Sequence, residues 1–211
     1  MDKSITLIQF FKLGGWAMWP LLIFSIATIS LILERLIYIL IHNLKVDDIA
    51  ASVLQKLREN DIEGAKEICK KSKKNKIASI ILLRGLEMSH LGEHRMENII
   101  ATEAAKKIND LERGFNFLIA LGSLSPITGF LGTVSGMITA FRDIANAADV
   151  NAQLVANGIF EALITTAYGL IIAIVAIAGY NIFSHIVDNF TKDIELAGSE
   201  IVTAIISQEK K

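Results

Sequence analysis

The sequence has little cysteine and lacks two kinds of motif that enzymes and ATP-driven proteins use. Among its 211 residues there is one cysteine, Cys69, so no disulfide can form within the chain. No recognisable nucleophile motif surrounds this thiol, and no catalytic role is predicted for it. The nucleotide-binding motif G-x-x-x-x-G-K-[ST] is also absent, so ATP is not expected to supply energy to this protein.

Formal charge is missing from three long stretches. Leu13–Leu33, Gly114–Phe141 and Ala162–Val187 span 21, 28 and 26 residues without Asp, Glu, Lys or Arg. A helix needs about 20 apolar residues to cross a bilayer, and the alternating ten-residue segments of membrane β-strands are not seen. We therefore predict an all-α membrane protein with three transmembrane helices, at residues 13–41, 114–141 and 158–183.

The distribution of Lys and Arg predicts the orientation of these helices. Residues 45–113 contain 14 Lys and Arg, whereas the segment after the second apolar stretch offers only Arg142. Because basic residues remain on the cytoplasmic side, residues 42–113 are predicted to form a cytoplasmic helical domain. The remaining segments are then an amphipathic helix at 1–12 and a loop at 142–157, both outside, and a cytoplasmic amphipathic helical tail at 184–211.

The polar segments also have a helical pattern. Ile49, Val53 and Leu57 recur every four residues, and Asn60-Asp61 interrupts this pattern before it resumes, which predicts a helical hairpin. One long helix is predicted from Ile77 to Asn116, leading directly into the second span. The lysine-rich run 70–76 has no aromatic neighbours, so contact with lipid headgroups is predicted there and nucleic acid is not.

Glu161 is the one formally charged residue between Asp149 and Asp188. It lies near the start of the third apolar stretch, where an ionised carboxylate facing lipid would be unfavourable by several kcal/mol. Acidic residues in such positions usually face a protein interior or a watery cavity and often carry protons or ions. The alternative is a carboxyl group that simply reaches the headgroups at the membrane surface.

Small residues form a stripe on the second and third spans, which predicts close helix packing. Threonines accompany them, and at 100° per residue Thr165 lies about 40° from Glu161 whereas Thr166 lies about 140° away. Helical geometry alone therefore favours Thr165 as the neighbour of Glu161. The stripes comprise Gly122, Ser125, Gly129, Gly132 and Gly136 in the second span, and Gly158, Ala162, Thr165, Gly169, Ala173 and Ala176 in the third.

A metal site is considered and not predicted. His90 and His94 are four residues apart, a spacing that can hold a metal on one helix face. No further cluster of ligands is evident, so an ordinary charged helix surface is the preferred interpretation. No cofactor is predicted either.

Three segments resemble the ExbB/TolQ/MotA proton-channel superfamily. They are GGWAMWPLLIFSIATISLILERLIYI (14–39), SPITGFLGTVSGMITAF (125–141) and NGIFEALITTAYGLIIAIVAIAGYNIF (157–183). They occur in the family's order, and the likeness covers nearly the whole chain. It is stronger for ExbB and TolQ than for MotA, which typically carries four spans and a larger cytoplasmic insertion.

The resemblance implies a proton-channel subunit of the bacterial inner membrane, with a periplasmic amino terminus and a cytoplasmic carboxyl terminus. Such proteins form rings, typically pentamers, around the paired helices of a single-span ExbD- or TolR-like partner with an essential aspartate. Proton flow moves that partner, and the work passes to a TonB- or TolA-like periplasmic protein. No nucleic acid is expected among the partners; membrane lipids are.

The resemblance also assigns residues. Glu161 matches the family's intramembrane glutamate, and Thr133 and Thr166 match its two polar pore threonines, whereas Thr165 remains an alternative from helical geometry. Pro126, Gly129 and Gly132 match structural positions of the motif, and Gly136, Gly158 and Gly169 are predicted to contribute to helix packing. Ser135 departs from the pattern, since ExbB-like proteins often carry a bulky aromatic residue there.

Three other functions are weighed against a proton channel. A membrane scaffold would use Glu161 only to pair with a basic residue of a partner, and a MotA-like stator would drive a different machine. An intramembrane enzyme would need a nucleophile and base, or metal ligands, within the membrane. No His lies in the first two spans and His185 is near the end of the third, so an enzyme is not predicted.

Overall fold

The computed structural model describes residue 11 and residues 14–72, 76–146 and 152–209. This part of the chain contains no strand, and three of its helices are long and apolar enough to cross a membrane. The predicted all-α fold with three candidate spans is thereby confirmed. In chain order the helices are α1 (Met18–His42), α2 (Asp47–Arg58), α3 (Ile62–Ser72), α4 (Ile77–Glu87), a 3-10 turn (Ser89–Leu91), α5 (Glu93–Glu112), α6 (Phe115–Asn146) and α7 (Ala152–Glu209).

Two predictions fall wholly or partly outside the described residues. The amphipathic helix predicted at 1–12 has only residue 11 within them, and the lysine-rich run lacks residues 73–75. Most of the loop predicted at 142–157 is in fact helical where it is described, because α6 continues to Asn146 and α7 begins at Ala152.

The described residues fall into two compact units. The first, here called the apolar unit, comprises the residues up to Leu33 together with Gly114–Asn181; the second, the polar unit, comprises Glu34–Arg113 and the residues from Ile182 onward. In the apolar unit, Met18, Leu21, Ile164 and Ile172 form a buried cluster. This cluster joins α1 to α7 through apolar contacts.

The polar unit begins with the predicted helical hairpin. Ile49, Val53 and Leu57 are buried on one face of α2, as their spacing predicts. Asn60 then adopts a positive φ of 61°, which ends the helix. The Asp61 carboxylate accepts a hydrogen bond of 2.8 Å from the backbone N–H of Gly64 and so caps the start of α3.

The prediction of one long helix from Ile77 to Asn116 is wrong. The chain leaves helical geometry at the 3-10 turn before Gly92, whose φ is +84°, and again at Gly114, whose φ is +93°. Both angles lie in the left-handed region that glycine adopts without steric penalty. The apolar periodicity continues across these breaks, so the sequence pattern alone does not indicate where the helix ends.

The carboxyl-terminal part of α7 packs within the polar unit. Phe190, Ile194, Ile201 and Ile205 are buried along one side of the helix. A Cβ added at Gly198 would lie 3.0 Å from Cγ2 of Ile100, so α5 approaches α7 closely at this point. The tail therefore contributes directly to the hydrophobic core of the polar unit.

Arg35 links the polar part of α1 to the end of α5. Only 5% of its surface is exposed, and its guanidinium donates to the carbonyl oxygens of Asp110 and Leu111 at 3.0 and 3.3 Å. The same group pairs with the Glu34 carboxylate. The last carbonyls of a helix lack intrahelical donors, so Arg35 satisfies them and also brings a cation to the negative end of the helix.

We expect Arg35→Met to destabilise the folded protein. The substitution removes the donors to two carbonyls at a buried helix end, a loss of about 2 kcal/mol of unfolding free energy. Chemical unfolding of the purified protein measures this loss, with the exposed Arg95→Met as the matched control. Equal stability of the two variants would contradict the capping role of Arg35.

Cys69 is buried in α3 and is expected to be unreactive. Burial raises the pKa of its thiol to about 12, so at pH 8 only about one thiol in ten thousand is the reactive thiolate. About a quarter of unperturbed cysteine thiols are ionised at pH 8. Iodoacetamide should therefore label the folded protein more than about a thousandfold more slowly than the denatured protein, with the rate still rising between pH 8 and pH 10. Rapid labelling of the folded protein at pH 8 would show that the thiol is accessible.

Candidate functional site

Helices α6 and α7 approach each other most closely at two glycines. A Cβ added at Gly129 would lie 2.7 Å from the carbonyl oxygen of Thr165, and one added at Gly169 would overlap the carbonyl oxygen of Ser125. Both obstacles are backbone atoms, which cannot rotate away as a side chain can. Because the side chain of glycine is a single hydrogen atom, the two backbones can touch at these positions.

The other predicted packing residues extend this contact along both helices. A Cβ at Gly136 would lie 3.3 Å from that of Ala162, and one at Gly158 would overlap the Cβ of Ala140. A Cβ added at Gly132 would lie 2.6 Å from Thr165 Oγ1 and 2.9 Å from Ala17 Cβ. The residues just before α1 therefore also approach the α6–α7 contact. Pro126 lies inside α6, half-buried, and withholds the N–H that would bond to the carbonyl of Gly122.

Three threonine hydroxyls converge where α6 meets α7. Thr133 Oγ1 pairs with Thr166 Oγ1 and also lies 3.0 Å from the carbonyl oxygen of Ala162. Thr166 Oγ1 and Thr165 Oγ1 each lie 3.1 Å from the carbonyl oxygen of Gly129. The result is a cluster of three hydroxyls and two carbonyls, here called the threonine cluster, held together across the two helices.

Both Thr165 and Thr166 lie at the contact between α6 and α7. Thr165 is the more buried, with 1% of its surface exposed, and it also donates to Ala162 O at 2.8 Å. Thr166 is partly buried and forms the pair with Thr133. The two residues lie on different faces of α7, but the close approach at Gly129 brings a carbonyl of α6 between them.

Glu161 lies one turn before the threonine cluster on α7 and faces the start of α1. Its side chain is half-buried, and a Cβ added at Gly15 would overlap its Oε1 atom. Gly15 has a φ of +65°, so its backbone conformation favours glycine here. Among the hydrogen bonds recorded for the described residues, none joins Glu161 to Thr133, Thr165 or Thr166.

The sequence did not reveal the contacts made by the turn that precedes α1. In this turn Gly15 lies against Glu161, and Ala17 lies near Gly132. Trp16 donates from Nε1 to Oγ of Ser135 at 3.0 Å. The two residues are 119 positions apart, and the local pattern carries no signal for this pairing.

The described residues contain no cluster of three or more His, Cys, Asp or Glu able to hold a metal. His90 belongs to the 3-10 turn, whereas His94 belongs to α5 beyond the break at Gly92. The assumption that the two histidines occupy one helix face is therefore wrong. Their spacing of four residues places them together only if the helix is continuous.

The sequence also matches a known protein family. Residues 73–196, more than half of the chain, match the sequence model of the MotA/TolQ/ExbB proton channel family, and this range includes every residue of the threonine cluster. The chain belongs to this family. The family is one of proton channels.

Individual relatives extend the match beyond that range. The biopolymer transport protein exbB1 of Vibrio cholerae is 30% identical over 176 residues, covering 81% of this chain and 75% of the relative. An ExbB-like biopolymer transport protein of Synechocystis is 29% identical over 204 residues, covering 95% and 80%. The Tol-Pal system protein TolQ of Pseudomonas aeruginosa is 47% identical over 74 residues, covering 35% and 32%.

Together, the three apolar helices and the ExbB and TolQ relatives indicate an inner-membrane protein of the proton-channel family that belongs to an energy-transducing system.

Proposed function

We propose that this MotA/TolQ/ExbB family member is the proton-conducting subunit of an inner-membrane motor complex. The observation that carries this proposal is the placement of Glu161. It is the one formally charged residue between Asp149 and Asp188, and it lies one turn from the threonine cluster. Acidic groups that face lipid are energetically unfavourable, and those found inside membranes often lie on a pathway for ions or protons.

The proposed pathway uses Glu161 as the proton carrier and Thr133, Thr166 and Thr165 as its polar lining. Hydroxyl groups both donate and accept hydrogen bonds, so they can hold water or pass a proton. Glu161 is half-buried and therefore remains within reach of a partner helix or of water. The glycines at the α6–α7 contact hold the polar groups of the two helices within hydrogen-bond distance.

The proposed partners are a ring of identical subunits, a pentamer by resemblance, and a single-span ExbD- or TolR-like protein with an essential aspartate. Large apolar side chains remain exposed on α6 and α7, including Ile127, Phe130, Ile138, Ile171 and Ile174. Such surfaces are suited to lipid and to neighbouring helices of the assembly. The work is then transferred to a TonB- or TolA-like protein, for import across the outer membrane or for envelope maintenance.

The proposed orientation places the polar unit in the cytoplasm and the amino terminus in the periplasm. Its support is the excess of Lys and Arg in residues 45–113. Protons are proposed as the coupling ion in preference to sodium, because a single carboxyl is available in each subunit.

Proton transport by the reconstituted complex tests the function. The chain is co-expressed with an ExbD/TolR-like protein, purified and placed in proteoliposomes under an imposed pH gradient or sodium gradient. We expect proton uptake that requires the partner and that continues without sodium. An intact complex that conducts neither ion would favour a non-conducting scaffold, and sodium-driven uptake would favour a stator of a different ion specificity.

A further inference from the structure

The turn that precedes α1 is tied to α6 and α7 by contacts of different kinds. Gly15 lies against the Glu161 carboxyl group, and Ala17 is buried beside Gly132. Met18 enters the apolar cluster with Leu21, Ile164 and Ile172. Trp16 supplies the polar contact, through its indole N–H and the hydroxyl of Ser135 at 3.0 Å.

We propose that Trp16 and Ser135 form a latch that keeps Gly15 over the Glu161 carboxyl group. Gly15 and Trp16 are adjacent, so the hydrogen bond from Trp16 to α6 restrains the residue that covers Glu161 on α7. Ser135 is then a positioning residue, which acts on Glu161 through the turn and not by contact. The functional meaning of the latch rests on the proposed proton channel, in which access to Glu161 controls conduction.

The chemistry of the two residues explains why serine suits this position. An indole N–H is a donor only, and a serine hydroxyl can accept it while its own proton rotates to another partner.

The reactivity of Glu161 with dicyclohexylcarbodiimide tests the latch in the full-length protein in lipid vesicles. We expect Ser135→Ala and Trp16→Phe each to label about fivefold faster at Glu161, the factor that corresponds to the loss of one ordinary hydrogen bond. Ser135→Thr retains the hydroxyl and should label at the wild-type rate. Mass spectrometry locates the modified residue, and Glu161→Gln defines the background.

Two controls separate the latch from a general loss of structure. Ser123→Ala removes a hydroxyl that donates to the carbonyl of Ile119 on its own helix, at 3.0 Å, and should leave Glu161 labelling unchanged. The Trp16→Phe/Ser135→Ala double variant should label no faster than either single variant, because both remove the same contact.

The fluorescence of Trp16 reports the hydrogen bond directly. The chain has two tryptophans, so Trp19→Phe leaves Trp16 as the single emitter. In that background Ser135→Ala should shift the emission, whereas Ser135→Thr should not. Wild-type labelling and unshifted emission in Ser135→Ala would overturn the latch, as would additive effects in the double variant.

The outcome of this test is independent of proton conduction. If the wild-type complex conducts no protons but Ser135→Ala exposes Glu161, the proposed function fails and the latch stands. If the complex conducts and Glu161→Gln abolishes conduction, but Ser135→Ala changes neither labelling nor emission, the latch fails and the function stands.

Discussion

Replacement of Glu161 by glutamine is expected to reduce proton uptake by the reconstituted complex by about a hundredfold or more, a typical loss when a proton-transferring side chain is removed. Glutamine has the same shape as glutamic acid, so its Oε1 atom can occupy the place beside Gly15 that the carboxyl oxygen now fills. The substitution therefore removes the titratable group and preserves the contact. Alanine would remove both.

Three comparisons make this result interpretable. Glu195→Gln changes an exposed acid on the same helix and should retain wild-type uptake. Glu161→Asp keeps a carboxyl group at a shorter reach and should retain part of the activity. Gel filtration must show that the Glu161→Gln complex assembles, and wild-type uptake by such an assembled complex would exclude Glu161 as the proton carrier.

The second large effect is expected at the closest contact between α6 and α7. Gly169→Ala should destabilise the protein by about 3 kcal/mol, the upper range for overpacking of a close contact. The added Cβ would overlap the carbonyl oxygen of Ser125 and lie 3.3 Å from the Cα of Gly129, so α6 and α7 would have to separate. Separation would also pull apart the hydroxyl groups of Thr133 and Thr166.

Gly179→Ala is the matched control, ten residues further along the same helix. Its Cβ would meet only the Ile32 side chain, at 2.9 and 3.0 Å, and the end of that side chain can turn away. Alanine is also favoured over glycine in a helix by about 1 kcal/mol. Unfolding of the two variants in detergent should therefore differ clearly, and equal stability would show that the backbones are not in contact at Gly169.

The three candidate spans were predictable because charge is absent over distances that only a membrane helix explains. The same criterion cannot detect a break within a continuous apolar pattern. Gly92 and Gly114 interrupt the helix predicted from Ile77 to Asn116, and each has a positive φ. The glycines themselves indicate possible helix ends, but the continuous apolar periodicity favours a single helix more strongly.

The residues proposed for the site follow from the sequence one helix at a time, but their arrangement does not. Glu161 and the glycine stripes follow from one helix at a time, since charge and small size are local properties. The carbonyl of Gly129 between Thr165 and Thr166 depends on where α6 approaches α7. Arg35 at the end of α5 and Trp16 at Ser135 depend on contacts between distant parts of the chain, and no periodicity encodes their partners.

The pair formed by Thr133 and Thr166 can take either of two hydrogen-bond directions. In one arrangement Thr166 donates to Gly129 O and Thr133 donates to Thr166; in the other, Thr133 donates to Ala162 O and Thr166 donates to Thr133. Rotation of the two hydroxyl groups interconverts these arrangements without backbone movement. Under the proposed function, the hydroxyl groups can therefore reorient between proton transfers while α6 and α7 stay packed.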